Sequence, residues 1–241
     1  MAMTQFNVPQ ETHNWLKENK IDCVHFESTT STNDVAKNEA LNLSTDLKVY
    51  VAQFQTAGRG RGQNQWITSR DPNSLIITWS YKMASSPQAL TGPLLGLALY
   101  RALKNSFHLS ELSLKAPNDI YLDGKKIGGL LTEVVGHTHK LRLIVGIGLN
   151  IFSRPQEVSE SSFLNAKTNV TLKLWTLFLS KLKFELDQAC KSSLETFLTD
   201  QQRDELLGAL NNNTSLVKKY QSVSPFGDLS TGDKIISWRD L

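Results

Sequence analysis

The chain has 241 residues, 40% of them hydrophobic and 20% charged, and 26 Lys and Arg against 23 Asp and Glu give a net charge of +3. That length suits one large domain, or one with a small appendage, and the composition is that of a globular rather than a disordered protein. Near-balanced, interspersed charge argues against a dedicated nucleic-acid binder, and no stretch has the apolar length of a membrane span.

Cys23 and Cys190 stand far apart without metal-ligand spacing, so neither a disulfide framework nor a zinc site is expected. The N-terminal stretch carries no apolar signal region, so a cytoplasmic protein is expected. Residues 9–20 read as a short helix with Pro9 near its start and Trp15 and Leu16 on its apolar side. A strand over 21–27 leads through a hydroxyl-rich turn into a helix from about Thr32, capped by Ser31 or Thr32. Strands follow over 48–56 and 74–82, then a mostly apolar helix over 92–107. Asp123-Gly124 favours a type I′ hairpin turn between NDIYL and KKIGGLLTEVV. Residues 140–151 form a further strand, 153–168 a polar linker, and 171–198 one long helix or two shorter ones. Near the end only DKIISW has a strand's pattern. Consecutive, hairpin-linked strands with interspersed helices define an α+β class on a mixed, mainly antiparallel sheet flanked by helices.

QTAGRGRGQNQW, residues 55–66, is too rich in glycine for a helix or strand interior. No GxGxxG and no GxxxxGK[ST] occurs, so neither dinucleotide nor P-loop signatures apply. Glycines expose successive N–H groups and two arginines can neutralise phosphate or carboxylate, which fits an anion loop. A solvated surface loop and an RG-type RNA contact are the other readings of these residues. Taken singly, Ser31-Thr32-Asn33 reads as a helix cap, Pro117-Asn118-Asp119 as a turn, Trp66 as core packing and Asn150 as a strand-end cap.

Four stretches in order, STTSTNDVAK, QTAGRGRGQNQW, KAPNDIYLDGKKIGGLLTE and GIGLNI, resemble the catalytic domain of biotin protein ligases over residues 21–190. The resemblance implies a class II synthetase-like fold of the biotin/lipoate ligase type. It divides the chain into a biotin- and ATP-binding catalytic domain over 1–200 and a reduced C-terminal segment over 201–241, an SH3-like remnant. It implies an enzyme that activates biotin with Mg²⁺ and ATP to biotinyl-5′-AMP. The biotinyl group then passes to a lysine of a biotin carboxyl carrier protein, in acetyl-CoA carboxylase or a related carboxylase. Ser31, Thr32, Asn33 and Gln55 match residues around the biotin ring system, and Trp66 one that packs over the biotin tail. Gly58, Arg59, Gly60, Arg61 and Gly62 match a loop closing over the adenylate, where Arg59 and Arg61 meet carboxylate and phosphate. Lys126 matches the lysine that stabilises charge as pyrophosphate leaves, and Lys125 a solvated neighbour. Gly128 and Gly129 match positions of close backbone approach to the ligand. Lys115, Asn118 and Asn150 match nucleotide-facing residues, and Asp119 a magnesium ligand. Glu133 also falls on a family position, without an assigned role.

The chain departs from the family pattern at Ala116, where tryptophan is common, and at Gly62-Gln63-Asn64, which is less basic. Too few residues precede Ser31 for the DNA-binding domain of many members, so no DNA is expected, nor a membrane. The protein is expected as a monomer or homodimer. His13, His25, His108, His137 and His139 lie outside the motifs and none is expected to be catalytic. A lipoate- or octanoate-transferring enzyme on the same fold and a non-catalytic biotin-binding module are the alternatives.

Overall fold

The structure is a computed structural model and describes residues 5–137 and 140–238; His139 lies outside them. In chain order the elements are α1 (Val8–Glu18), β1 (Cys23–Thr29), α2 (Thr32–Glu39), β2 (Leu47–Gln55), β3 (Ser74–Met83), α3 (Thr91–Phe107), β4 (Leu112–Lys115), β5 (Asp119–Leu122), β6 (Lys125–Val135), β7 (Leu141–Asn150), α4 (Leu172–Ser192), α5 (Asp200–Asn211), β8 (Ser222–Val223), β9 (Leu229–Ser230) and β10 (Ile235–Ile236). They fall into two compact units, Met1–Ser85 with Ile127–Thr176, and Ser86–Lys126 with Leu177–Leu241.

The first unit is built on strands in the order β1-β2-β3-β7-β6. Among the described residues of this unit only β1 and β2 pair in parallel, and α2 lies in the chain between them, the kind of crossover a parallel pair needs. The remaining neighbours are antiparallel, so the mixed, mainly antiparallel sheet is as expected. The central β3 and β7 are almost wholly buried, which explains their nearly continuous apolar sequences. Ala36 of α2 packs on Tyr50 and Ile144, with Val24, Phe26, Val35 and Val135 around them. Helix α1 starts at Asn7, whose side chain accepts from Gln10 N, and buries Val8, Trp15 and Leu16. Trp175, early in α4, donates its indole N–H to Thr12 of α1 at 3.2 Å.

In the second unit α3 buries 13 residues, in keeping with its apolar sequence, and ends on His108 in the left-handed conformation. Arg101 ties α3 to Glu205 of α5 through Nε at 3.0 Å and to Glu185 of α4 at 3.5 Å. Strands β4 and β5 form a tight antiparallel pair, and β8, β9 and β10 a small antiparallel sheet in the tail. Helix α5 was not expected. Its start carries a capping box between Thr199 and Gln202, and it buries Leu206, Ala209 and Leu210, too few apolar residues to stand out in a polar stretch. Strands β4, β8 and β9 are also additions, each of four residues or fewer. No helix among the described residues is long and apolar enough to cross a membrane.

Candidate active site

β1 ends at Thr29 and the chain turns directly into α2, with the Ser31 hydroxyl accepting from Asp34 N at 3.4 Å. Ser31 therefore serves as the helix cap. The parallel register sets Gln55, the last residue of β2, beside Thr29 and within reach of the helix start. Thr32 donates its backbone N–H to Gln55 Oε1 at 2.7 Å, and its hydroxyl lies 3.1 Å from the same oxygen. From β3, Thr78 Oγ1 lies 2.8 Å from Thr32 Oγ1 and 2.7 Å from Asn33 Oδ1. Asn33 Nδ2 donates to the Leu131 carbonyl and to Glu133 Oε2, at 3.3 and 3.0 Å. Asn33 stands over Gly146, where an added Cβ would fall 2.1 Å from its Oδ1, so only glycine leaves it room. Ser31, Thr32, Asn33, Gln55 and Thr78 are all at most 8% exposed. Polar groups this deep are costly unless hydrogen-bonded, and here Thr32, Asn33, Gln55 and Thr78 bond one another into a fixed buried line.

The Gly-Arg loop continues β2 and folds back on itself. Trp66 N donates to Gly58 O at 3.0 Å, Gly60 N to Asn64 O at 2.8 Å, and Asn64 N to Arg61 O at 3.2 Å. At Gly58 a Cβ would lie 2.4 Å from the Trp66 carbonyl, and at the tip Gly62 has φ +64°. The hairpin itself thus demands glycine at both positions. The Trp66 indole lies flat on the backbone of Gly148, where an added Cβ would come within 2.4 Å of the ring. The two arginines part company. Arg61 is exposed near the tip, whereas Arg59 reaches Glu133 at 2.7 Å and Asp34 at 2.8 Å. Lys37 joins the other Glu133 oxygen at 2.8 Å. Burial alone would push the Glu133 carboxyl up, but hydrogen bonds from Lys37, Asn33 and Arg59, with the Arg59 charge, hold it below the ordinary carboxylate value.

Gly128 and Asn150 have structural neighbours of their own. A Cβ at Gly128 would fall 2.2 Å from Leu149 Cδ2 and 2.6 Å from Gly148 O, so strand packing requires the glycine. Gly129 pairs with Gly148 across β6 and β7. Asn150 closes β7 and donates from Nδ2 to Ser162 O at 3.1 Å, tying down the segment that follows.

In the second unit, Asp123 and Gly124 have φ of +52° and +71°, the left-handed pair that a type I′ turn needs. The turn returns the chain so that Lys126 Nζ meets Asp119 Oδ1 at 2.7 Å. Lys125 is exposed, as alternation along the strand requires. Asn118 sits in the turn between β4 and β5, where the Ala116-Pro117 peptide is cis and the Pro117 carbonyl accepts from the Trp238 indole at 3.1 Å. Lys115 lies over the Tyr121 ring, 5.2 Å from its centroid. Among the described residues no group of three or more His, Cys, Asp and Glu could hold a metal. Asp119 is a single carboxylate, a donor set that suits magnesium arriving on substrate phosphates rather than a resident ion.

Thr78 and Glu133 join this hydrogen-bonded line without a role assigned from the motifs. Thr78 had one signal, a hydroxyl in the apolar run LIITW; Glu133 had only its place at the end of GGLLTE.

The fold is that of a biotin/lipoate ligase catalytic domain. Residues 25–150 match the model of the Biotin/lipoate A/B protein ligase family, and the chain belongs to that family. It is 31% identical over 139 residues to the "Bifunctional ligase/repressor BirA" of Bacillus subtilis, 56% of this chain and 42% of that protein. It is 32% identical over 136 residues to the "Biotin--[acetyl-CoA-carboxylase] ligase" of Mycobacterium tuberculosis, 54% of this chain and 49% of that one. The matched region spans less than half the length of these relatives. The biotin protein ligase of Aquifex aeolicus, solved in complex with biotin and ATP, shares the fold with a TM-score of 0.68 at 24% identity. That match covers 90% of this chain and 95% of the other.

Proposed function

We propose that the protein is an ATP-dependent biotin–protein ligase, with residues 1–200 as its catalytic part and 201–241 as a C-terminal segment. The observation that carries this reading is the buried hydrogen-bonded wall of Thr32, Asn33, Gln55 and Thr78, next to a glycine-arginine loop already folded as a hairpin. A wall of fixed amides and hydroxyls recognises a polar ring, whereas a plain fatty acyl chain needs an apolar slot. The resemblance assigns that ring to biotin.

In the first half-reaction the biotin carboxylate attacks the α-phosphorus of Mg·ATP and pyrophosphate leaves. An anionic carboxylate and an anionic triphosphate must be brought together, so the contribution asked of the protein is positive charge and orientation. Arg61 and Lys126 are the cations assigned to the carboxylate and phosphates, with Lys115, Asn118 and Asn150 on the nucleotide side. Arg59 is assigned to the same anions on release from Glu133 and Asp34. Asp119 is assigned to the magnesium that ATP carries. Ser31, Gly58, Trp66, Gly128 and Gly129 shape the biotin side. In the second half-reaction the amine of a carrier lysine attacks the mixed anhydride and AMP leaves. The partner is a biotin carboxyl carrier domain; the reading includes no DNA or membrane, a cytoplasmic setting, and a monomer or homodimer.

The test is transfer of biotin to a purified biotin carboxyl carrier domain with and without ATP. ATP-dependent labelling of one carrier lysine is expected. Transfer of lipoate or octanoate in place of biotin would move the protein to the other branch of the family, and binding of biotin without transfer would make it a binding module.

A further inference from the structure

Along the buried line of polar side chains the direction of the hydrogen bonds is constrained by their neighbours. Asn33 Nδ2 faces two acceptors, the Leu131 carbonyl and Glu133 Oε2, so that end of the amide donates and Oδ1 is turned to Thr78. An amide oxygen only accepts, so Thr78 must spend its single hydroxyl proton on Asn33. Thr32 Oγ1, 2.8 Å from Thr78 Oγ1, then meets a lone pair there. Its other neighbour, Gln55 Oε1, is an acceptor too and already takes the Thr32 backbone N–H. The Thr32 proton is therefore drawn into the protein on either side, and the hydroxyl has lone pairs left to offer. Turning the Asn33 amide over would change this: Nδ2 would donate to Thr78, Thr78 would turn its proton on Thr32, and one of the two Thr32 lone pairs would be taken up inside the protein.

The amide is held by the one charged group on the line. Glu133 takes Asn33 and Arg59 on one oxygen and Lys37 on the other, at 3.0, 2.7 and 2.8 Å. A carboxylate is an acceptor only, and a charged acceptor binds an amide N–H more strongly than a neutral one. We propose that Glu133 is a positioning residue that sets the polarity of this line, through Asn33 and Thr78, so that Thr32 is presented as an acceptor to the ring N–H groups of a cyclic urea. The proposal rests on the biotin reading above and deepens it. Octanoate and lipoate carry no such N–H, so the polarity favours biotin over both, although Glu133 acts at a distance from the substrate.

The test uses the full chain. Thr78→Val keeps the shape and removes the hydroxyl, Thr78→Ser keeps the hydroxyl, and Glu133→Gln removes the charge. In Thr78→Val the KM for biotin should rise about tenfold, the loss of about 1.4 kcal/mol in a hydrogen-bonding contact, while kcat at saturating biotin and the KM for ATP stay within about threefold of wild type. Thr78→Ser should restore the biotin KM to within about threefold. A general loss of structure would instead move all three constants together. Independently of any ligand, urea midpoints of Thr78→Val, Glu133→Gln and the double variant should be non-additive, because both changes break one line. Additive midpoints, or an unchanged biotin KM in Thr78→Val, overturn the proposal. Wild-type protein that binds no biotin sinks the proposed reaction and the selectivity role with it, even where coupled midpoints uphold the line of bonds.

Discussion

Gly148→Ala tests whether the Trp66 indole is held where the structure places it. An added Cβ would lie 2.4 Å from Cε2, 2.6 Å from Cζ2 and 2.9 Å from Cδ2 of the ring. Carbon atoms pack at about 3.5–4.0 Å, so the indole must withdraw by roughly 1 Å. The backbone of β7 cannot yield, because Gly148 is paired on both sides, with Ile76 of β3 and Gly129 of β6. Overpacking of this kind costs about 1–3 kcal/mol, and the lower half applies because Trp66 sits on a half-buried loop end that can shift. For a chain of this size about 1 kcal/mol lowers Tm by roughly 2–4 °C. The displacement also reaches the Gly-Arg hairpin, since Trp66 N holds Gly58 O, so the biotin KM should rise in the same variant. Thermal unfolding of Gly148→Ala, Trp66→Ala and the double variant provides the check. With the indole removed, the alanine should cost almost nothing. An equal fall in Tm in both backgrounds would refute the placement of Trp66 against Gly148.

Gly208, by contrast, is exposed within α5, and a Cβ there meets nothing within 4 Å. Gly208→Ala should stabilise the protein by about 0.5–1 kcal/mol, read as a raised urea midpoint, since it removes helix-breaking entropy without a clash. Burial lowers the imidazole pKa of both His13 and His25, with Lys17 adding to it in each and Glu27 opposing it at His25. The unfolded chain then binds more protons than the folded one just below the ordinary value of 6.5, so stability decreases as the pH is lowered through that window and levels off below the folded pKa values. His25→Gln should flatten that part of a urea-midpoint-against-pH curve. Lys126→Met should lower the rate of adenylate formation by about 10²–10³-fold, the usual loss on removing one group that stabilises developing charge. Asp119→Asn should raise the magnesium concentration needed for half-maximal rate. An unchanged magnesium dependence would remove Asp119 from the metal's surroundings.

The sequence is most legible where local chemistry dictates local geometry. Asp123-Gly124 makes the turn its dipeptide favours, Ser31 caps α2, and the alternating stretch 48–56 is β2. What escaped it depends on partners distant in the chain. Glu133 gains its place only when β6 lies beside β7 and α2 lands above them, which brings it to Asn33, 100 residues earlier. Arg59 and Arg61 look equivalent in GRGR, but Arg59 is half-buried against Asp34 and Glu133 while Arg61 is exposed near the tip. Gly128, matched to a close approach of backbone to ligand, also makes room for Leu149, and Gly148 of GIGLNI makes room for Trp66. In the tail the strands are two residues long, below the length at which alternation can be seen.

The central claim, activation of biotin as its adenylate, is tested most directly by acid-dependent exchange of labelled pyrophosphate into ATP, which needs no carrier. Exchange should appear with biotin, require Mg²⁺, and be lost in Lys126→Met, while lipoate and octanoate should support little. Exchange driven by lipoate or octanoate as well as by biotin, or none with any of the three, would contradict the account.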